Sequence, residues 1–171
     1  MKSSKSRALA LLVTASALMG VGTAYAATQT VTSSIKYLTD LSFVTVLSPN
    51  FGEVKQGQVG NYVLSTAGVV TPNGGGVLEG GATNAGSYTI IGSSGQVINI
   101  SAGGLTPDGG STPSAPTCAY NGGASGSCTI VGAAAPGAGK NLLVGLTIAS
   151  DGTTADGTTD HPTFTLTVLY Q

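Results

Sequence analysis

The feature that most constrains the fold is the alternation in residues Pro162–Gln171, PTFTLTVLYQ. Phe164, Leu166, Val168 and Tyr170 take every second position, with Thr163, Thr165 and Thr167 between them. Only Leu169 departs from the pattern. A period of two is the pattern of a β-strand with one buried face. The chain ends one residue after Tyr170, so the strand's hydrogen-bonding edge is expected to be met by an earlier strand or by another molecule.

A second alternating run lies near the other end. From Val31 to Leu47 the odd positions include Val31, Ile35, Tyr37, Leu41, Phe43 and Leu47, and the even positions up to Ser42 are mostly polar. This run is a candidate partner for the closing strand. It is about three times longer than the usual strand of roughly 5–6 residues. It therefore reads as two pieces, a free arm followed by the first strand of a domain.

Between these ends no helical period appears. Short strand-like runs recur at Leu41–Leu47, Val59–Thr66, Ser87–Ile91, Gln96–Ser101, Thr117–Tyr120, Ser127–Val131, Leu142–Ala149 and Thr163–Tyr170. Gly- and Asn-rich turns separate them. Seven or eight short strands over about 130 residues predict an all-β sandwich and not a repeat fold. The Gly- and Pro-rich stretch 103–116, GGLTPDGGSTPSAP, reads as a long surface loop.

The first 26 residues have the pattern of a secretory signal peptide. Lys2, Lys5 and Arg7 form a basic start, Ala8–Val21 an apolar stretch and Ala24-Tyr25-Ala26 a small-residue cleavage site. The chain is thus expected to leave the cytoplasm through the Sec pathway, for the periplasm and then the cell surface. No later apolar run approaches the roughly 18 residues of a membrane span. Beyond residue 26, three lysines face seven acids, a side-chain charge of −4. That balance excludes the clustered basic surface that nucleic acid requires. Charged residues make up 8% of the chain, against about 25% in ordinary soluble domains. A surface of Thr, Ser, Asn, Gln and Gly suits an exported protein that packs against copies of itself. It equally suits an inert secreted domain.

Cys118 and Cys128 are the only cysteines. In an exported protein an even pair reads as a disulfide, here stapling a hairpin. The rival reading, a reactive dithiol, lacks both C-x-x-C spacing and a basic neighbour.

Catalytic chemistry is sparse. His161 is the single histidine, placed between Asp160 and Pro162 with no G-x-S-x-G elbow anywhere. It reads as a turn residue. Glu53 and Glu79 are the only glutamates, and no motif joins them as an acid–base pair. Asp151, Asp156 and Asp160 in SDGTTADGTTD offer carboxylates for calcium, but the spacing is not that of an EF-hand. A polar hairpin between the last two strands accounts for them as well. Gly74-Gly75-Gly76 lacks the lysine of a phosphate loop. Tyr62, Tyr88 and Tyr120 could offer rings to a glycan, yet each falls within a strand pattern. No enzyme activity, metal or cofactor is expected.

The terminal runs suggest association instead. An extended arm can add to an exposed sheet edge, with backbone hydrogen bonds for strength and alternate side chains for pockets. Val31, Ile35 and Tyr37 are the candidate donor residues. A head-to-tail contact of this kind does not close and builds a filament. If instead the arm pairs within its own domain, the protein is a monomer, and a secreted module binding glycan or calcium is the alternative function.

The ending TFTLTVLYQ, with its penultimate tyrosine, resembles the C-terminus of chaperone–usher fimbrial pilins. The resemblance implies that Phe164, Leu166, Val168 and Tyr170 form the strand read by a periplasmic chaperone and by neighbouring subunits. It also implies an outer-membrane usher as partner. A broader likeness covers most of residues 41–171. Asn50-Phe51-Gly52 is similar to the L-N-F-G motif of a family of exported bacterial β-domains of unknown function. Tyr88-Thr89-Ile90-Ile91-Gly92 and Leu143-Val144-Gly145-Leu146-Thr147-Ile148 resemble that family's F-x-V-x-G and V-G-G-x-L-x-V strands. The expected organisation is a signal peptide over 1–26, an N-terminal extension over 27–40 as candidate donor strand, and a domain over 41–171. The domain is expected to be an immunoglobulin-like or pilin-like β-sandwich, incomplete by one strand that a donor supplies. The expected function is a structural subunit of an extracellular fimbria-like fibre or surface layer, built by donor-strand exchange.

Overall fold

The computed structural model describes residues 29–171, and they contain strands, turns and extended segments but no helix. The signal-peptide reading of 1–26 lies outside the described residues. Among the described residues no helix is long and apolar enough to cross a membrane. The chain divides between Ile35 and Lys36. Residues 29–35 are exposed and belong to no strand. Lys36–Gln171 form a compact β-domain.

Twelve strands follow in order: β1 (Ser42–Leu47), β2 (Asn50–Val54), β3 (Val59–Leu64), β4 (Val70–Asn73), β5 (Leu78–Asn84), β6 (Gly86–Ile91), β7 (Ile98–Thr106), β8 (Ser111–Tyr120), β9 (Gly126–Ser127), β10 (Ile130–Ala133), β11 (Lys140–Asp151) and β12 (Thr163–Tyr170). The large sheet has the order β1-β6-β11-β3-β4, with β8 joined to β11 and β9 to β8. A three-stranded sheet, β10-β7-β12, and a ribbon, β2-β5, complete the set. All these pairings are antiparallel.

β11 organises the large sheet. Residues 140–144 pair with β6 and residues 146–151 with β3, so the partner changes at Gly145. A Cβ at Gly145 would run into the Leu64 carbonyl, and only glycine lets β3 approach there. On its other edge β11 pairs with β8, with an irregularity at Ala115 and Pro116 of β8, where Ala115 has φ 45°. Such a bulge bends the strand and turns its side chains.

The core is double. The first cluster lies between the large sheet and β10-β7-β12. It buries Ile90, Leu142 and Val144 from one side and Ile98, Ile100 and Ala133 from the other, with Cys118, Tyr120 and Cys128. The second buries Tyr62, Leu64, Val70 and Leu146, with Phe51 and Leu78 of the ribbon packed on it. Phe164 packs against both. Two layers of sheet around such a core make a β-sandwich. Cys118 and Cys128 are joined in a disulfide, both buried, across the two-residue pairing of β8 with β9. This is the stapled hairpin expected from the spacing.

Three expectations are corrected. The closing strand does not pair with the 31–47 run: β12 pairs with β7, and β1 pairs with β6. The fully buried Ile98 and Ile100 give β7 the stronger claim on the core face beside β12. The stretch 103–116 is not a long loop, because β7 runs to Thr106 and β8 begins at Ser111. Only the turn around Asp108–Gly110 separates them. Finally, the segment between β11 and β12 is not a hairpin. It crosses from the large sheet to the small one.

Candidate functional site

β12 is an edge strand. In the order β10-β7-β12 only one of its sides is paired, and its outer side meets no strand among the described residues. Its alternation works as the sequence predicts. Phe164, Leu166, Val168 and Tyr170 face the core, and Thr163, Thr165 and Thr167 are exposed. The inward residues are nevertheless only half-buried. β1 is likewise an edge strand, paired only with β6.

Between these two edges lies a groove of about 1330 Å³. Phe43, Thr45 and Leu47 of β1 line it, as do Phe164 and Leu166 of β12. Tyr62, Leu146 and Ile148 come from the large sheet, and Phe51 with Glu53 from the ribbon. The crossover residues 154–162 also line it. Sequence reasoning did not anticipate the contributions of Phe43, Phe51 and Leu146. Phe51 carries a signal as the aromatic of the Asn-Phe-Gly motif, but nothing local says which cavity it faces. Phe43 also meets Tyr88 edge-to-face, with centroids 6.4 Å apart and planes at 80°.

Tyr170 closes one end of β12. Its hydroxyl accepts a hydrogen bond from the Ser93 amide at 2.6 Å and donates one to the Thr39 carbonyl. The candidate donor residues are exposed. Val31 is 85% exposed, Ile35 74% and Tyr37 83%. Val31 and Ile35 belong to the segment before the domain, and Tyr37 is the second residue of the domain.

Several of the candidate polar residues make hydrogen bonds within the fold. Tyr62 is buried, and its hydroxyl accepts from the Val77 amide at 3.2 Å. The Tyr120 hydroxyl donates to the Ala134 carbonyl at 2.9 Å. Burial pushes the Tyr88 and Tyr120 phenols up from their ordinary value. None of the three rings stands out as an open stacking platform. His161 is exposed, and its backbone amide donates to Asp108 Oδ2 at 2.6 Å.

Asp151 Oδ1 accepts from the Thr153 hydroxyl at 2.7 Å and from the Thr153 amide at 2.9 Å. These bonds hold its carboxyl below the ordinary aspartate value. Asp160 Oδ2 accepts from the Thr154 hydroxyl at 2.8 Å. A Cβ at Gly109 would collide with the Asp160 carboxylate, and one at Gly110 with that of Asp151. The β7–β8 turn is joined to the crossover by the Gly110 amide, which donates to the Thr154 hydroxyl at 3.1 Å, and by the His161 amide on Asp108. Among the described residues no group of three or more His, Cys, Asp or Glu could hold a metal ion. Glu53 and Glu79, unrelated in sequence, both line the groove from the ribbon. No protein-family model, no curated protein and no solved structure matches this chain.

Proposed function

We propose that the protein is a structural subunit of an extracellular, fimbria-like fibre, of immunoglobulin-like or pilin-like type. It is non-enzymatic and assembles when the N-terminal arm of one subunit enters the groove of the next. The observation that carries this reading is the groove, lined by apolar and polar side chains, between two unpaired strand edges, β1 and β12. Its volume exceeds the roughly 300–1,000 Å³ typical of small-molecule pockets, and β1 and β12 form two of its walls. An added strand would pair with the outer edge of β12 and cover Phe164 and Leu166. The exposed arm supplies matching side chains in Val31 and Ile35, with Tyr37 at its root. Each apolar anchor that becomes buried would contribute about 1.5–3 kcal/mol. Because arm and groove are different surfaces, the contact is heterologous and propagates.

On this reading the chain is exported by its signal peptide. A periplasmic chaperone covers the groove until assembly, an outer-membrane usher exports the fibre, and the partners are copies of the chain or related subunits.

Deleting residues 27–38 tests the reading. The expected product is a folded monomer that forms no fibres. Protein sheared from the producing cells, run on SDS gels with and without boiling, should show a ladder that collapses on boiling for the parent only. Negative-stain microscopy should show thin fibres for the parent only. Unchanged assembly of the deleted chain would refute the proposal. A stable parent monomer with saturable glycan or calcium binding would replace it with a secreted binding module.

A further inference from the structure

The groove touches Thr163, Phe164 and Leu166 of β12 but not Val168 or Tyr170. The Tyr170 end of the strand is occupied by a different structure. There the hydroxyl of Tyr170 bridges the Ser93 amide, at 2.6 Å, and the Thr39 carbonyl, which lies 131 residues away in sequence. Both its donor and one acceptor site are thus in use. Beneath it lies Gly92, where a Cβ would strike the Tyr170 hydroxyl and the Leu41 side chain.

A second link runs alongside. Lys36 Nζ donates to Gln96 Oε1 at 3.0 Å and to the Gly95 carbonyl at 3.4 Å. Gln96 Nε2 donates to the Gln171 carbonyl at 2.6 Å, and the Gln171 amide to the Val97 carbonyl at 3.1 Å. The loop from Gly92 to Val97 therefore joins the first residues of the domain to the last residues of β12.

We infer that Tyr170 is the clasp of the N-terminal arm: a positioning residue that fixes where the arm leaves the domain. The ring packs on the main core, so the hydroxyl is presented from a rigid base. The links at Lys36 and Gln96 are surface contacts of small individual worth, and the shared loop makes them act together. The clasp stands on the contacts above, all of them within Lys36–Gln171; its bearing on arm delivery rests on the proposed assembly.

Trypsin reads the clasp directly, because Lys36 lies at its edge. The mature, unassembled chain, isolated as monomer by gel filtration, is compared with Tyr170→Phe, which keeps the ring and loses the hydroxyl. The expected result is cleavage after Lys36 about fivefold faster, from the loss of hydrogen bonding at the root. Cleavage after Lys55 and Lys140 should stay at the parent rate. Equal rates at Lys36 in variant and parent would overturn the inference, as would a parallel rise at all three lysines.

If Tyr170→Phe yields no folded protein, Gln96→Ala decides. An increase of about twofold confined to Lys36 supports the clasp, and no change overturns it. Fibre formation by the parent is scored separately. Its absence would refute the assembly and leave the clasp result standing.

Discussion

Phe164 is the residue on which the two halves of the core meet. It packs on the cluster around Ile90 and Leu142 and on the cluster around Tyr62 and Leu64. It also forms part of the groove wall. Its replacement by alanine removes contacts from both clusters, but the ring is only half-buried, so the cost falls below that of a fully enclosed phenylalanine. Phe164→Ala is expected to lower stability by about 2 kcal/mol, with Tm down by roughly 4–8 °C. Thermal unfolding followed by circular dichroism checks this. Leu169→Ala, on the exposed side of the same strand, should leave Tm within about 2 °C of the parent.

At the scale of elements, the Cys118–Cys128 bridge ties β8 to the β9 turn within the main core. It closes a short loop, so its removal is expected to cost about 2–3 kcal/mol. The double variant Cys118→Ser, Cys128→Ser should therefore lose roughly 5–10 °C of Tm while keeping its far-ultraviolet spectrum. An unaltered Tm would show that β8 and β11 hold the hairpin without the bridge.

Strands with alternating apolar residues were legible in the sequence. β1, β3, β6, β11 and β12 fall where their alternation or β-branched content places them. β2, β4 and β5 were not, because NFGEV, VTPN and LEGGATN are short and interrupted by glycine or proline. What makes them strands is a partner elsewhere in the chain, such as Phe51 opposite Thr83. The end of β7 and the start of β8 are hidden in the sequence for the same reason. Gly103 is a strand residue because it pairs with Thr165, and Pro113 because it pairs with Ile148 on a strand with little else along its outer edge. Of the candidate site, the inward face of β12 could be read directly. The groove could not, since its walls come from segments that only the sheet order brings together.

At the scale of the described domain, a groove with apolar and polar walls combines with a low content of charge. Such a surface is suited to a strand-shaped partner. If the groove takes the arm, the arm's sequence alone should bind it. A synthetic peptide of residues 29–38, QTVTSSIKYL, added to the chain lacking 27–38, is expected to raise Tm in a saturable way. At a peptide concentration of 100 Kd the stabilisation is about 2.7 kcal/mol. A scrambled peptide should give none, and equal effects of the two peptides would show that the groove does not read the arm's side chains.

The clasp at Tyr170 has a mechanical meaning. In a fibre of the proposed kind, tension enters each subunit through its own arm at Lys36 and leaves through the strand lodged along β12. The loop 92–97 joins Lys36 and Thr39 to the C-terminal end of β12 across a few hydrogen bonds. In such a fibre those bonds would couple the root of the arm to the C-terminal end of β12. The Cys118–Cys128 hairpin takes part in none of these bonds.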